Sequence, residues 1–185
     1  MFITNLSCTL RLLMMAVVFV FVLPSQAEIE HLLPRPQHVT QQTGTFLLQR
    51  ALRLEDVTQT PLLRKFLLDH GATISEQAEV KVKVVVDKSL NTFDYPLAGF
   101  GNEGYCLKIS PDAITIIVAE PIGVVRAAQT LHQLALGTEG NGQIEALTLT
   151  DFPAFKVRGV MHDVGRSFID IEELKRQINL LAQFK

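Results

Sequence analysis

Apolar and polar positions along this chain repeat with two different periods, and the switches between them mark out its elements. Tyr105, Leu107 and Ile109 alternate with Cys106, Lys108 and Ser110; Pro111-Asp112-Ala113 supplies a turn, and Ile114 to Val118 returns. A period of two across a tight turn predicts an antiparallel hairpin, with Cys106 on the Lys108 face and therefore partly exposed. Gly44 to Leu54, centred on Thr45-Phe46-Leu47-Leu48, predicts a strand, as do the β-branched run Val80–Val86 and the stretch Gln143–Thr150. Helical spacing takes over at Pro61–His70, where Leu62, Leu63, Phe66 and Leu67 recur, Pro61 sits in the first turn and Gly71 follows the end. A second helix opens at Pro121, aligns Val124, Ala128, Leu131 and Ala135 on one face and stops at Gly137. His132 lies beside that stripe and reads as a helix-surface or half-buried side chain rather than a ligand. Leu33-Pro34-Arg35-Pro36 is an extended lead-in, because proline fixes its own φ and biases its predecessor away from helix.

A hairpin is antiparallel by construction, while strands alternating with helices favour parallel pairing. Residues 28–150 are therefore expected to form an α+β domain, a mixed or mostly antiparallel sheet covered by two helices. Residues 151–185 read differently. Lys156–Val164 predicts a strand with Met161 and Asp163 on one face and Arg158, Val160 and His162 on the other, and Gly159 permits close approach. Asp170 can cap a following helix with Glu173 as its partner, and Leu174, Ile178 and Leu181 form that helix's stripe. The pattern is a strand and its crossover helix, half of a βαβ unit.

Chemistry-bearing residues gather at the end of this predicted strand, where parallel α/β folds place their sites. Arg158 offers the rigid bidentate geometry suited to vicinal hydroxyls or carboxylates. Asp163 and Arg166 fall at the turn; they either support such a site or form a plain ion pair with each other.

At the front, Leu12–Leu23 is an unbroken apolar run preceded by Arg11, broken by Pro24 and followed by Ser25-Gln26-Ala27. It is shorter than the roughly 20 residues that span a bilayer. This predicts a secretory signal over residues 1–27, cleaved after Ala27, with the mature protein secreted or periplasmic and not stably inserted in a membrane. Losing Arg11 makes the net charge of -2 slightly more negative, too mild a balance for nucleic acid binding. Cys8 leaves with the signal, so Cys106 has no disulfide partner within the mature chain. His31, His38, His70, His132 and His162 show no ligand spacing, which argues against a metal site, and nothing points to a cofactor.

Two groups of residues resemble glycoside hydrolase family 20, the β-N-acetylhexosaminidases. Leu32 to Gln37, Glu103-Gly104-Tyr105, Ile114-Thr115-Ile116 and Gly123 to Leu134 resemble the family's non-catalytic N-terminal domain. Asp151-Phe152-Pro153 and the run Arg158 to Arg166 (Arg-Gly-x-Met-x-Asp-x-x-Arg) resemble the opening strand of its catalytic (β/α)8 barrel. The resemblance implies that residues 151–185 are the first β-α unit of an incomplete barrel. It implies that Arg158 grips hydroxyls of a terminal N-acetylhexosamine, and that Asp163 and Arg166 support the site. It also implies substrate-assisted retaining hydrolysis, in which the sugar's acetamido oxygen attacks and an adjacent Asp-Glu pair orients the acetamide and protonates the leaving group. That pair is expected downstream of Lys185. Glu172-Glu173 read as first-turn helix acids, so no catalytic residue is assigned and the chain alone is expected to be inactive. A different class stays open, a non-catalytic carbohydrate-binding or interaction module, although the chain has no Trp and only two Tyr to stack on sugar rings.

Overall fold

The computed structural model describes residues 31–55, 61–87, 101–138 and 141–185; the expected signal, residues 1–27, lies outside them. The elements run β1 (His38–Leu47), β2 (Ala51–Glu55), α1 (Pro61–Asp69), β3 (Thr73–Ile74), β4 (Lys81–Val86), β5 (Tyr105–Ser110), β6 (Ala113–Val118), α2 (Ile122–Leu136), β7 (Gln143–Asp151) and α3 (Ile171–Gln183). The strands form one seven-stranded sheet in the order β1-β7-β5-β6-β4-β2-β3. One half, β1-β7-β5-β6, is antiparallel and the other, β6-β4-β2-β3, is parallel. The expected mixed sheet with two covering helices is what forms.

The hairpin registers Tyr105 on Val118 and Ser110 on Ala113. Tyr105, Leu107 and Ile109 on β5 and Ile114, Ile116 and Val118 on β6 are buried, whereas Cys106 is only partly covered and Lys108 is exposed. Against that inner face lie Leu63, Phe66 and Leu67 of α1 and Val124, Ala127, Ala128, Leu131 and Leu134 of α2, all in one cluster. Each such aliphatic side chain, fully buried, contributes roughly 1.5–3 kcal/mol.

Two expectations need correction. The strand placed over Gly44–Leu54 is two strands: β1 at one edge of the sheet and β2 next to the strand at the other edge. Leu48 lies between them: its side chain is buried and its N–H donates to the Gly142 carbonyl at 2.8 Å, one step beyond the Leu47–Gln143 pair of the β1–β7 ladder. Larger is the correction at Lys156–Val164, where no strand forms. Val157 and Met161 are 89% and 94% exposed, and a Cβ added at Gly159 would meet nothing. A strand is stabilised by its neighbours, and this segment pairs with none, so its alternating pattern has nothing to act on. The helix expected after it does form, with Asp170 accepting the Glu173 N–H at 2.8 Å as its cap. Of the strand and helix expected over residues 156–185, only the helix forms.

His132 is half-buried as expected. It meets Phe66 and His70 edge-on, with ring centroids 6.2 and 5.3 Å away. Burial foremost, then the neighbouring His70, holds its pKa below the ordinary histidine value, with Asp69 opposing. The unfolded chain thus takes up a proton that the folded chain resists. The resulting stability is present above about pH 6.5, the unfolded value, and is lost as pH falls below it. Urea midpoints between pH 7.5 and 5 should decline less steeply in His132→Gln than in the parent; equal slopes would exclude this histidine as a source of acid sensitivity.

Candidate functional site

A cavity of about 230 Å³ opens at the end of the sheet where β5 begins and β7 ends. Its apolar walls include Pro34, Phe152, Pro153 and Phe155, and its charged groups are Arg35, Glu103, Arg126, Asp151, Arg158 and Lys185. Local sequence explains the convergence. Glu103 lies two residues before the start of β5, Arg126 lies in the first turns of α2, and Asp151 is the last residue of β7. Gly123 lets α2 approach the chain between Glu103 and Tyr105: a Cβ there would lie 2.6 Å from the Gly104 carbonyl oxygen.

Two carboxylates organise the charges. Glu103 Oε2 accepts from Arg126 Nε at 2.7 Å and from Arg158 Nη2 at 2.6 Å. Burial pushes Glu103 upward, but the hydrogen bonds from Arg158 and Arg126 outweigh it and hold the carboxyl below its ordinary range. Asp151 Oδ2 accepts from Lys185 Nζ at 2.7 Å and from the Tyr105 hydroxyl at 3.2 Å, while Oδ1 accepts the Gln37 N–H at 3.3 Å. Since Tyr105 spends its one proton on Asp151, its oxygen accepts from Lys185 Nζ at 3.1 Å and from the Thr130 hydroxyl at 2.5 Å. Burial, then the Asp151 charge, pushes the Tyr105 phenol far above its usual value. Both carboxylates thus accept hydrogen bonds from cationic side chains.

Of the residues singled out from the sequence, only Arg158 reaches this place. Besides Glu103 it donates from Nη1 to the Phe155 carbonyl at 2.6 Å and from Nε to the Lys185 carbonyl at 3.4 Å. Asp163 and Arg166 lie apart from it and exposed, paired with each other at 3.2 Å. Asp163 Oδ1 also accepts the N–H groups of Gly165 and Arg166, closing the turn. Glu173 is drawn down to about 2, first by its hydrogen bond from Arg176 and then by Gln177, in keeping with a helix acid. Among the described residues no three His, Cys, Asp or Glu side chains are grouped as a metal would need.

The sequence reading missed Glu103, Arg126, Tyr105, Asp151 and Lys185 as a cluster. Two signals were present: a tyrosine on the inward face of a strand, and an acid closing an apolar one. Each demands a polar partner once buried.

The family model described as glycosyl hydrolase family 20, domain 2, matches residues 30–152. The chain belongs to glycoside hydrolase family 20. Glu103, Tyr105, Arg126 and Asp151 all lie inside that match, whereas Arg158 and Lys185 lie beyond it. Among relatives of this family-20 chain, the β-hexosaminidase of Vibrio furnissii is 28% identical over 157 residues, covering 83% of this chain and 24% of its own. The β-hexosaminidase of Emericella nidulans is 34% identical over 120 residues, 62% of this chain and 20% of that one. The solved exo-β-N-acetylglucosaminidase of Vibrio harveyi superposes with a TM-score of 0.65 at 25% identity, over 84% of this chain and 24% of that one. The β-N-acetylhexosaminidase of Bacteroides fragilis gives the same TM-score, 0.65, at 21% identity, over 82% and 31%, and is a likeness of fold. The family-20 chain thus spans about a quarter of the length of these hexosaminidases.

Proposed function

We propose that this chain is the front part of an exported β-N-acetylhexosaminidase: residues 1–27 a cleaved signal, residues 28–150 the family's non-catalytic domain, and residues 151–185 the opening of its catalytic domain. The observation that carries this reading is contiguity. The domain 2 match ends at residue 152, and the Arg158–Arg166 run follows at once. The Vibrio furnissii alignment, at 157 residues, is also longer than that domain. The enzyme hydrolyses terminal β-linked N-acetylhexosamine with the substrate's acetamide as nucleophile, and Arg158 binds the sugar's hydroxyls while Asp163 and Arg166 support the turn beside it. A relative solved in complex with N-acetylglucosamine gives the substrate class its support.

The chain by itself is inactive in this reading. No residue of this chain is assigned as the general acid, and a positioned general acid typically contributes roughly 10²–10⁴-fold to such a reaction. The purified chain should release no nitrophenol from the nitrophenyl β-glycoside of N-acetylglucosamine above the buffer rate. Release that Arg158→Ala abolishes would overturn the inactivity. Export is checked separately: the N-terminus of protein recovered outside the cytoplasm should begin at Glu28.

A further inference from the structure

Just past the end of α1, His70 meets His132 of α2, and their ring centroids lie 5.3 Å apart. The two are remote in sequence, which is why no ligand spacing shows there. Packing brings them together: Phe66 and Leu67 of α1 bury in the same cluster as Ala128 and Leu131 of α2, which sets the end of α1 beside His132. Phe66 also lies under the pair, its ring centroid 4.4 Å from that of His70. His70 Nδ1 is 2.9 Å from the Phe66 carbonyl oxygen. A carbonyl can only accept, so Nδ1 carries the proton and Nε2 keeps its lone pair. An imidazole held through one nitrogen by a backbone carbonyl and open at the other is in the state that metal-binding histidines adopt. The His132 ring has no hydrogen-bond partner among the described residues, so it turns about its broad terminal torsion without breaking one. Zinc–nitrogen bonds of about 2.0–2.1 Å and a tetrahedral angle set the centres of two rings on one ion roughly 5 Å apart. The spacing here is already that.

We propose that His70 and His132 form a two-histidine site for a divalent ion of the zinc, nickel and copper class, with water in its remaining positions. Two side chains are fewer than a resident metal needs, so the ion exchanges with solution. Asp69 lines the same cavity of about 410 Å³, but Lys65 holds its carboxylate at 2.6 Å, and it is not counted among the ligands. An ion gripped by both rings ties the end of α1 to α2 and stabilises the folded chain, because the unfolded chain does not hold the two rings together. The inference stands on two helices of domain 2 and does not depend on the hexosaminidase reading.

Zinc chloride titrated into the chelator-treated whole chain, followed by imidazole nitrogen NMR, reads the site directly. The Nε2 resonances of His70 and His132 should move together, His70 Nδ1 should stay protonated, and His38 and His162 should not respond. Losing even an outer partner of a metal-bound histidine costs about 10–100-fold, so His70→Gln and His132→Gln should each weaken calorimetric zinc binding on the order of 100-fold. His162→Gln should bind as the parent does. Copper should bind more tightly than zinc, and magnesium, which prefers oxygen ligands, should not bind there. Zinc that moves only one of the two rings overturns the proposal, as does unchanged affinity in either glutamine variant. Magnesium competing on equal terms with zinc also overturns it, because the ion would then belong to Asp69. Should His70→Gln fail to fold, the NMR titration of the parent decides alone.

Discussion

Gly123→Ala should lower the stability of this chain by about 2 kcal/mol or more, although alanine is the better helix former by about 1 kcal/mol. The added methyl would stand 2.6 Å from the Gly104 carbonyl oxygen and 2.9 Å from Val118 Cγ1. Neither neighbour can yield easily. Val118 is fully buried on β6, and Gly104 adjoins Tyr105, which is locked in register with Val118 and Asp151. Helix α2 must therefore back away from the sheet, loosening Val124 and Ala127 and drawing Arg126 from Glu103. Gly159→Ala is the matched control, with nothing within 4 Å of its added carbon and an expected change near zero. Urea unfolding of the two variants settles the point. A Gly123→Ala midpoint equal to that of Gly159→Ala would mean that the contact is not as tight as drawn.

What could be read in the sequence was whatever local periodicity fixes. The β5–β6 hairpin was legible because its strands are adjacent and their alternation is unbroken across Pro111-Asp112. Both α1 and α2 were legible because proline opens them, glycine follows them and one stripe is apolar. Long-range pairing was not. Nothing local says that β1 lies beside β7, or that β4 runs parallel to β6, because those choices are made by burial of the whole inner face. The same cause misplaced Lys156–Val164. Its alternation suits a strand, but strand pairing is a property of two segments, and no described strand pairs with this one.

The site was legible in its chemistry more than in its membership. Arg158 was found because it belongs to a charged run at the end of an apolar stretch and because the Arg158–Arg166 run resembles the family's motif. Its acceptor, Glu103, lies 55 positions earlier in a different element, and Arg126, which shares that acceptor, is 23 positions from it. Only the approach of α2 to the start of β5 brings them together. Asp163 and Arg166 illustrate the opposite case: three-residue spacing and opposite charge sufficed to form their pair, and the exposed pair carries little energy.

A second large effect is expected at high pH, and it belongs to Tyr105. Ionising this phenol would place a second buried negative charge beside Asp151, 3.2 Å away, so the folded state keeps the proton well above the ordinary tyrosine value. In the unfolded chain the phenol ionises near pH 10. Below that pH both states hold the proton and the contribution to stability is fully present. Above it only the unfolded chain lets the proton go, so stability falls by about 1.4 kcal/mol per pH unit until the folded phenol itself ionises. By pH 12 the loss reaches about 3 kcal/mol, a large share of the roughly 5–15 kcal/mol that holds a domain folded. Tyr105→Phe removes this dependence but strips one donor from Asp151 and an acceptor from Thr130 and Lys185, costing about 1–3 kcal/mol at neutral pH. The two proteins should therefore differ clearly in urea midpoint at pH 7 and converge toward pH 12. In a Tyr95→Phe background, absorbance near 295 nm should show no tyrosinate until the chain unfolds. Parallel midpoint curves, or a phenolate forming near pH 10 in the folded chain, would place Tyr105 in contact with solvent and dissolve the cluster that joins β5, β7 and α2.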